Sequence, residues 1–402
     1  MNELIRLRRE IHAHPELARQ ERRTTALVAR TLGQAGLNPK VLPSGTGLTC
    51  DIGEGSGPVI ALRADLDALP IQDDKIVDYK SQNPGVSHAC GHDVHTAILT
   101  GAAIRLAQEN IGTLGRVRCI FQPAEESSRS GSLDVIAAGA IKEVDVIYAL
   151  HCDPSAHVGR IGTRVGPITS AQDRITVKVR GSGGHSARPN LTPNPINVIG
   201  TVVVGLSDAV NMQLAEDKRM LIGFGEISSN GTKNAIPSRA EASGTVRIRN
   251  ADIWPEVPKL VEDTLAKIVA PFGLDWELEY TRVCPAVNNN PKAIGILRNI
   301  AVKLFGEDNV YEAPQSFGGE DFGWYLKHVP GALCRLGVRS PGNEAQADLH
   351  SGLFDIDERA IPVGVDLFVQ TALSALKEYI SSGKEDVGDQ SNLSPSSTII
   401  GD

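Results

Sequence analysis

Cys90 and His92 stand two residues apart in His88-Ala-Cys-Gly-His-Asp-Val-His95, and a thiolate and an imidazole on one glycine-bent turn can grip a divalent cation together. Alone, such a pair is a weak signal. Further ligand-type residues follow at the ends of later apolar runs: Glu125 and Glu126 after Arg116 to Gln122, His151 after Val144 to Leu150, and His350 ahead of a helical segment. A structural metal site is normally closed by four Cys or His ligands, whereas a hydrolytic site mixes His with carboxylate and leaves room for water. Cys90, His92, Glu126, His151 and His350 make five ligands. That is too many for one tetrahedral ion and suits two ions sharing a bridge, the Cys90 thiolate or a water, at the separation of roughly 3.5–4 Å common in two-metal hydrolases. Two divalent cations, set against one thiolate, one carboxylate and a bridging hydroxide, leave about one positive charge, which favours an anionic substrate or a developing oxyanion.

Adjacent residues leaving a strand point different ways, so Glu125 and Glu126 are not expected to ligate one ion together. Glu126 is assigned as the ligand and Glu125 as the base that takes a proton from the attacking water and hands it to a leaving nitrogen. Without Cys90, His92 and His151, a solvated acidic start to a Ser-rich helix would be the better reading of the two glutamates. Asp67 follows the run Leu62-Arg-Ala-Asp-Leu-Asp67 and is placed to orient a ligating imidazole; a turn or capping role suits it equally. His185, in the loop Gly181-Ser-Gly-Gly-His-Ser-Ala-Arg-Pro189, is a candidate to hydrogen-bond a tetrahedral oxyanion, although a lone loop histidine is more often solvated. Arg247 offers a planar fork to a substrate carboxylate and Asn234 an amide contact, against a surface salt bridge and a turn asparagine as the commoner fates. His and carboxylate suit zinc, manganese, cobalt or nickel, and the thiolate tilts the choice to zinc. A cysteine hydrolase built on Cys90 and a histidine is a rival, as is a metal-binding scaffold with a dead site. The first leaves Glu126, His151 and His350 without a task, and the second predicts a missing base or ligand.

The elements that must position these residues read as an α/β fold. Residues 3–36 read as one helix ended by Gly33 and Gly36, and Pro58 to Leu66 as a buried strand with an acidic carboxyl end. Thr96 to Gln108 has helical periodicity, and Val117 to Phe121 and Val144 to Leu150 are strands. Helix and strand in alternation imply a mostly parallel central sheet, whose ligand crevice opens at the carboxyl ends of the strands. Asp65, Asp67, Glu125, Glu126 and His151 fall there. From Pro167 the pattern changes to strand (Arg174 to Val179), helix (Pro195 to Val210), strands (Met220 to Ile227, Arg239 to Arg249), helix (Trp254 to Ile268) and strand (Asp275 to Arg282). That order, β-α-β-β-α-β, is ferredoxin-like. From about residue 286 helix and strand alternate again (Ile294 to Phe305, Ala332 to Gly337, Ile361 to Tyr379). The expected organisation is a catalytic domain over 1–168 and 286–380, interrupted by an α+β insertion at 169–285, with a disordered tail at 381–402.

A chain of 402 residues exceeds what one hydrophobic core usually supports, and 41% hydrophobic content fills two. A net charge of −8 gives no basic field, and the N-terminal arginines are interspersed with glutamates, so neither nucleic acid nor an anionic membrane is an expected partner. No run of about eighteen apolar residues stands out, and His12, His14 and Glu16 occupy the place of a secretory apolar core. Six scattered cysteines fit reduced thiols. A cytoplasmic protein is expected.

At these residues the chain resembles the metallo-aminoacylase and carboxypeptidase family, in the branch of hippurate hydrolases, N-acetyl-amino-acid deacetylases and indole-acetyl amino-acid hydrolases. The stretches that carry the likeness span residues 5 to about 380: His12-Ala-His-Pro-Glu16 with Glu21, Leu62 to Pro70, His88 to His95, Phe121-Gln-Pro-Ala-Glu-Glu126, His151-Cys-Asp153, Gly183-Gly-His-Ser-Ala-Arg-Pro189, Phe317-Gly-Gly-Glu-Asp-Phe322 and Leu349-His-Ser351. The resemblance implies a di-metal catalytic domain interrupted by a lid that also carries homodimer contacts. It implies ligation of two divalent ions by Cys90, His92, Glu126, His151 and His350, with Glu125 as base and Asp67 in support. It further implies that His185 reaches an active site across the lid, sometimes that of the partner subunit, and that Asn234 and Arg247 touch the substrate. Cys90 stands where other branches carry a bridging aspartate. The implied reaction is hydrolysis of an N-acyl amino acid to a carboxylic acid and a free amino acid, the nearest rival being a dipeptidase or carboxypeptidase on the same centre. One departure is local: Ser127-Ser-Arg-Ser-Gly-Ser-Leu133 replaces the Gly-rich segment usual after the second glutamate and leaves the loop shape open.

Overall fold

The computed structural model describes residues 2–109 and 111–381. Of the tail expected to be disordered, 381–402, Ser381 ends a helix and the rest lies outside the described residues. An eight-stranded sheet runs in the order Lys40–Val41, Leu48–Ile52, Arg116–Gln122, Val59–Asp65, Val146–His157, Gly331–Arg339, Ile161–Thr163, Val310–Glu312. Its four central strands, from Arg116–Gln122 to Gly331–Arg339, are mutually parallel, while Leu48–Ile52 and Ile161–Thr163 join them antiparallel. Every residue of Val59–Asp65 is buried, as a strand covered on both faces must be. The helices His92–Gln108 and Ala360–Ser381 pack on the sheet and against each other, and their Ile98, Leu99, Leu367 and Phe368 share one apolar core with Leu62 and Tyr148. Ala360–Ser381 is long and apolar enough to cross a membrane by length and composition alone; here it packs as a core helix.

The single N-terminal helix expected over 3–36 is two, Asn2–Ala13 and Arg22–Gln34. Pro15 disfavours a helical His14 and supplies no backbone N–H of its own. The freed loop turns Glu16 so that its carboxylate accepts the N–H groups of Arg23 (3.0 Å) and Thr24 (2.8 Å) at the start of the second helix.

A second, four-stranded antiparallel sheet has the order Met220–Ser229, Arg239–Ile248, Ala171–Arg180, Asp275–Cys284. Helices Pro195–Asn211 and Val257–Val269 cover one face, burying Val198, Val202, Leu206, Val261 and Leu265 against Ile175, Val177 and Val246 in a core of their own. The chain order is β-α-β-β-α-β. Gly166–Pro167 pairs antiparallel with Asn288–Asn289 in a small ladder of its own, so the segment that carries the second sheet begins and ends at adjacent points.

Candidate metal centre

The strand Val59–Asp65 pairs with Val146 to Ala149 and no further. Beyond Ala149 the longer strand, which continues to His157, has lost that neighbour, and His151 emerges beside the gap with its partner Arg335 across the ladder. This is the crevice that an open parallel sheet leaves at its carboxyl edge.

Cys90 reaches the crevice from the turn before helix His92–Gln108. Gly91 makes that turn with φ +82°, and a Cβ there would stand 2.9 Å from the Cys152 sulfur. The Cys90 sulfur lies 3.5 Å from His151 Nε2. His92, the first residue of the helix, donates from Nδ1 to the Asp67 carbonyl at 2.9 Å, and His151 donates from Nδ1 to the Cys152 carbonyl at 2.8 Å. Each bond fixes the tautomer and aims an Nε2 lone pair inward. His350, at φ +61°, is held by its N–H to the Ala89 carbonyl at 2.8 Å; its Nε2 stands 3.4 Å from Glu126 Oε1.

Two ligand groups result, Cys90–His92–His151 and Cys90–Glu126–His350, each with its donor atoms within 4.8 Å of one another and both containing the Cys90 sulfur. His92 Nε2 and Glu126 Oε1 are buried without a hydrogen-bond partner. Buried orphans of that kind are costly unless something electropositive meets them, so the donor set fits a pair of thiophilic divalent cations. Burial alone would favour neutral His92, yet Asp65, Asp67 and Cys90 outweigh it and push His92 well above the ordinary histidine range. Cys90 and Glu126 push His350 up to about 10. Burial and then Arg335 hold His151 well below its usual range. His92 and His350 thus stand where positive charge is favoured, for which protons and metal ions would compete.

Asp67 is the hub of the turn. Its carboxylate accepts the backbone N–H of Glu125 (3.0 Å) and of Glu126 (2.9 Å), while Nδ1 of His92 stands 3.5 Å from Oδ1. Glu125 faces Asp321, whose N–H it accepts at 3.3 Å. Burial, then Glu320, Glu126 and Asp321, push Glu125 well above the ordinary carboxylate range, the direction a general base needs.

A cavity of about 560 Å³ opens here, lined by Cys90, Glu125, Glu126, His151, His350 and Arg247 among others. Arg247 comes from the second sheet, its Nη1 donating to Gln172 Oε1 at 2.5 Å. His185 and Asn234 are not brought to that cavity. His185 is exposed on a two-stranded ladder, paired with Ala235, and the exposed Asn234 immediately precedes that partner strand.

Further charged groups stand in and behind this wall, with no catalytic or ligand role assigned to them from the sequence. Arg63 is fully buried and binds Asp65 (2.6 Å), Asp321 (2.9 Å) and Glu320 (3.2 Å). Asp65 also accepts from His95 Nδ1 at 2.6 Å, and His95 Nε2 accepts the Cys152 N–H at 2.9 Å. The only sequence signal for Glu320 and Asp321 was their place in Phe317-Gly-Gly-Glu-Asp-Phe322.

The profile of peptidase family M20/M25/M40 matches residues 61–374. A Rhodococcus jostii (strain RHA1) protein named for a glutamate–cysteine ligase is 44% identical over 375 residues, in a match that takes in 93% of this chain but 47% of that protein, so the chain spans about half of that relative's length. An N-acetylcysteine deacetylase of Bacillus subtilis (strain 168) is 35% identical over 376 residues, 93% of this chain and 97% of that protein. The crystal structure of a dinuclear metal-binding peptidase of the M20 family from Bacillus subtilis superposes with a TM-score of 0.83 at 32% identity, over 94% of this chain and 98% of the other. The ligand groups that share Cys90, the profile and the full-length likeness to a dinuclear relative agree: this chain belongs to peptidase family M20/M25/M40.

Proposed function

We propose that the chain is a metal-dependent amidohydrolase that cleaves the amide bond of N-acyl amino acids, releasing a carboxylic acid and a free amino acid. The observation that carries this reading is that one cavity joins the Cys90-centred ligand groups, a raised-pKa Glu125 and the guanidinium of Arg247. Cys90, His92, Glu126, His151 and His350 would hold two divalent ions, zinc first by the softness of the thiolate, then manganese, cobalt or nickel. Bound there, the ions would supply the Lewis acidity that activates water and the scissile carbonyl. Glu125 takes the water proton and returns it to the leaving nitrogen; its raised pKa lets it hold that proton between the two transfers. Asp67 keeps Glu125 and Glu126 on their separate tasks by gripping both backbone N–H groups. Arg247 pairs with the substrate α-carboxylate through its fork.

The inserted unit at 169–285 would be a ferredoxin-like lid and a homodimer surface, between catalytic segments 1–168 and 286–380. His185 and Asn234, exposed and off their own chain's cavity, would then serve the partner's site. Six unpaired buried cysteines favour a cytoplasmic setting. A dipeptidase or carboxypeptidase on the same centre is the second reading, favoured by the likeness to a structure described as a peptidase.

The test is metal content of the purified protein together with amino-acid release from N-acetyl, N-benzoyl and longer N-acyl amino acids and from dipeptides, before and after chelation. Near two metals per chain and chelator-sensitive release from the acyl substrates are expected. Glu125→Gln should lower turnover by about 10²–10⁴-fold with metal content nearly intact. Activity that ignores the chelator, or a near-normal Glu125→Gln, would overturn the mechanism; faster turnover of dipeptides would move the substrate class to peptides.

A further inference from the structure

The cavity holds more arginines without an ion-pair partner than one substrate carboxylate can use. Arg174, Arg247 and Arg335 all line it, and among the described residues no carboxylate lies within ion-pair distance of any of them. The two fully buried arginines among the described residues are each surrounded by carboxylates. Arg63 touches three carboxylates, and Arg8 touches Asp93, Asp355 and Glu358. A half-buried guanidinium without an anion is costly, and the fold tolerates two of them, Arg247 and Arg335, around one space, with the exposed Arg174 at its rim.

Arg335 is the most telling of them. It stands on the strand Gly331–Arg339 directly across the ladder from His151, and paired residues of adjacent strands point to the same face. Its one side-chain bond is from Nη2 to Ser316 Oγ at 3.3 Å, a weak neutral partner. Asp153, the carboxylate lining the same wall, already accepts Tyr311 Oη at 2.7 Å and the Ser155 N–H at 2.9 Å. Arg247 approaches from the other sheet, with Arg174 on the same face one diagonal step away, since Arg247 pairs with Gln172 and Thr245 with Arg174. The cavity therefore presents guanidinium groups from both of its walls, one of them beside the ligand histidine.

We infer that Arg335 is a specificity residue that binds a second substrate carboxylate, so that the substrates are dianionic N-acyl amino acids. The inference rests on the amidohydrolase reading above. Arg247 holds the α-carboxylate, and Arg335 holds a carboxylate carried either on an acidic side chain or on the far end of a dicarboxylic acyl group. Both sources offer the same planar anion to the same fork.

The experiment compares kcat/KM of the metal-loaded protein for two matched pairs: N-acetylglutamate against N-acetylglutamine, and N-succinylalanine against its succinamide counterpart. One acid should be preferred over its amide by about 10- to 100-fold, the range of a charge-assisted bond, and which pair shows it identifies the source. Arg335→Gln should erase that preference, chiefly through KM, with metal content and unfolding midpoint unchanged, and Arg335→Lys should restore part of it. Equal rates within both pairs, or an Arg335→Gln that slows acid and amide alike, would overturn the assignment. Failure of every acyl substrate, neutral and anionic, would instead bring down the amidohydrolase reading.

Discussion

Glu21 never reaches the cavity, yet it sets the turn that does. It is fully buried, and its Oε1 accepts the N–H groups of Arg19 (2.9 Å) and of Ala124 (2.8 Å), the residue that bends at φ +57° just before Glu125. Its Oε2 has no partner. Burial, reinforced by the charge of Asp67, raises its pKa from 4.5 to about 7 against the pull of its backbone donors. A carboxyl raised in this way holds its proton more tightly in the folded state than in the unfolded one. The stabilisation is complete below pH 4.5 and is lost as the pH rises through about 7. Glu21→Gln should therefore flatten the fall in stability across that window by up to about 3 kcal/mol. Urea denaturation of both proteins at several pH values checks this, because the metal contribution is common to both, and parallel slopes would refute it. Residue types made the ligands legible in the sequence, since a cysteine, three histidines and a Glu-Glu pair have few other joint uses. The part Glu320 and Asp321 play in the wall and the bond between Asp65 and His95 were not legible. Glu320 and Asp321 meet Asp65 at Arg63, and no spacing rule connects them to a residue so far back in the chain.

At the scale of elements, the segment Ser127 to Leu133 that departs from the family's usual Gly-rich loop turns out to be a clamp. Ser130 donates its hydroxyl to Asp321 Oδ2 at 2.7 Å, and Ser132 donates its N–H to the same oxygen at 3.1 Å. Gly131, which opens the helix Gly131–Ala137, donates to the Ala124 carbonyl at 2.9 Å and lies so close to Pro123 that a Cβ would come within 1.8 Å of its carbonyl oxygen. The small residue is thus required by contact with the very turn that presents Glu125 and Glu126. Gly131→Ala has only backbone to push against, so it should cost about 1–3 kcal/mol of unfolding free energy and lower turnover through a displaced Glu125. Denaturation and rate measurements that both match the wild type would exclude this coupling. The long strands and helices were readable from apolar runs and 3.6-residue periodicity. The short strands Lys40–Val41, Ile161–Thr163 and Val310–Glu312 were not, because two or three residues carry no period and are made strands by the neighbour they pair with. The N-terminal helix was read through Pro15 for a related reason: the apolar period continues on both sides of the break, and only the proline's local chemistry interrupts it.

For the whole molecule, the unresolved tension is that Arg247 of the inserted unit lines the cavity while His185 and Asn234 of the same unit do not. The outer surface of that unit suggests how it resolves. Met220–Ser229 is an edge strand with Leu221 and Ile227 exposed, and the neighbouring helix Pro195–Asn211 exposes Ile196 and Val204. An edge strand flanked by exposed apolar side chains invites pairing with another chain, and a two-fold pair formed there would leave each His185, already off its own cavity, free to serve its neighbour's. If His185 acts in this way, no single subunit holds a complete site. A chain with Glu125→Gln and a chain with His185→Ala would each be nearly inactive alone. Co-expressed, they would form mixed dimers in which one of the two sites draws an intact Glu125 from one chain and an intact His185 from the other, restoring about a quarter of the wild-type activity when dimers assort at random. Differently tagged chains, purified through both tags, isolate the mixed species and should raise the recovery to about half. Mixed dimers that stay as inactive as their parents would confine His185 to its own chain, and a protein that sediments as a monomer while retaining full turnover would remove the partner from the mechanism altogether.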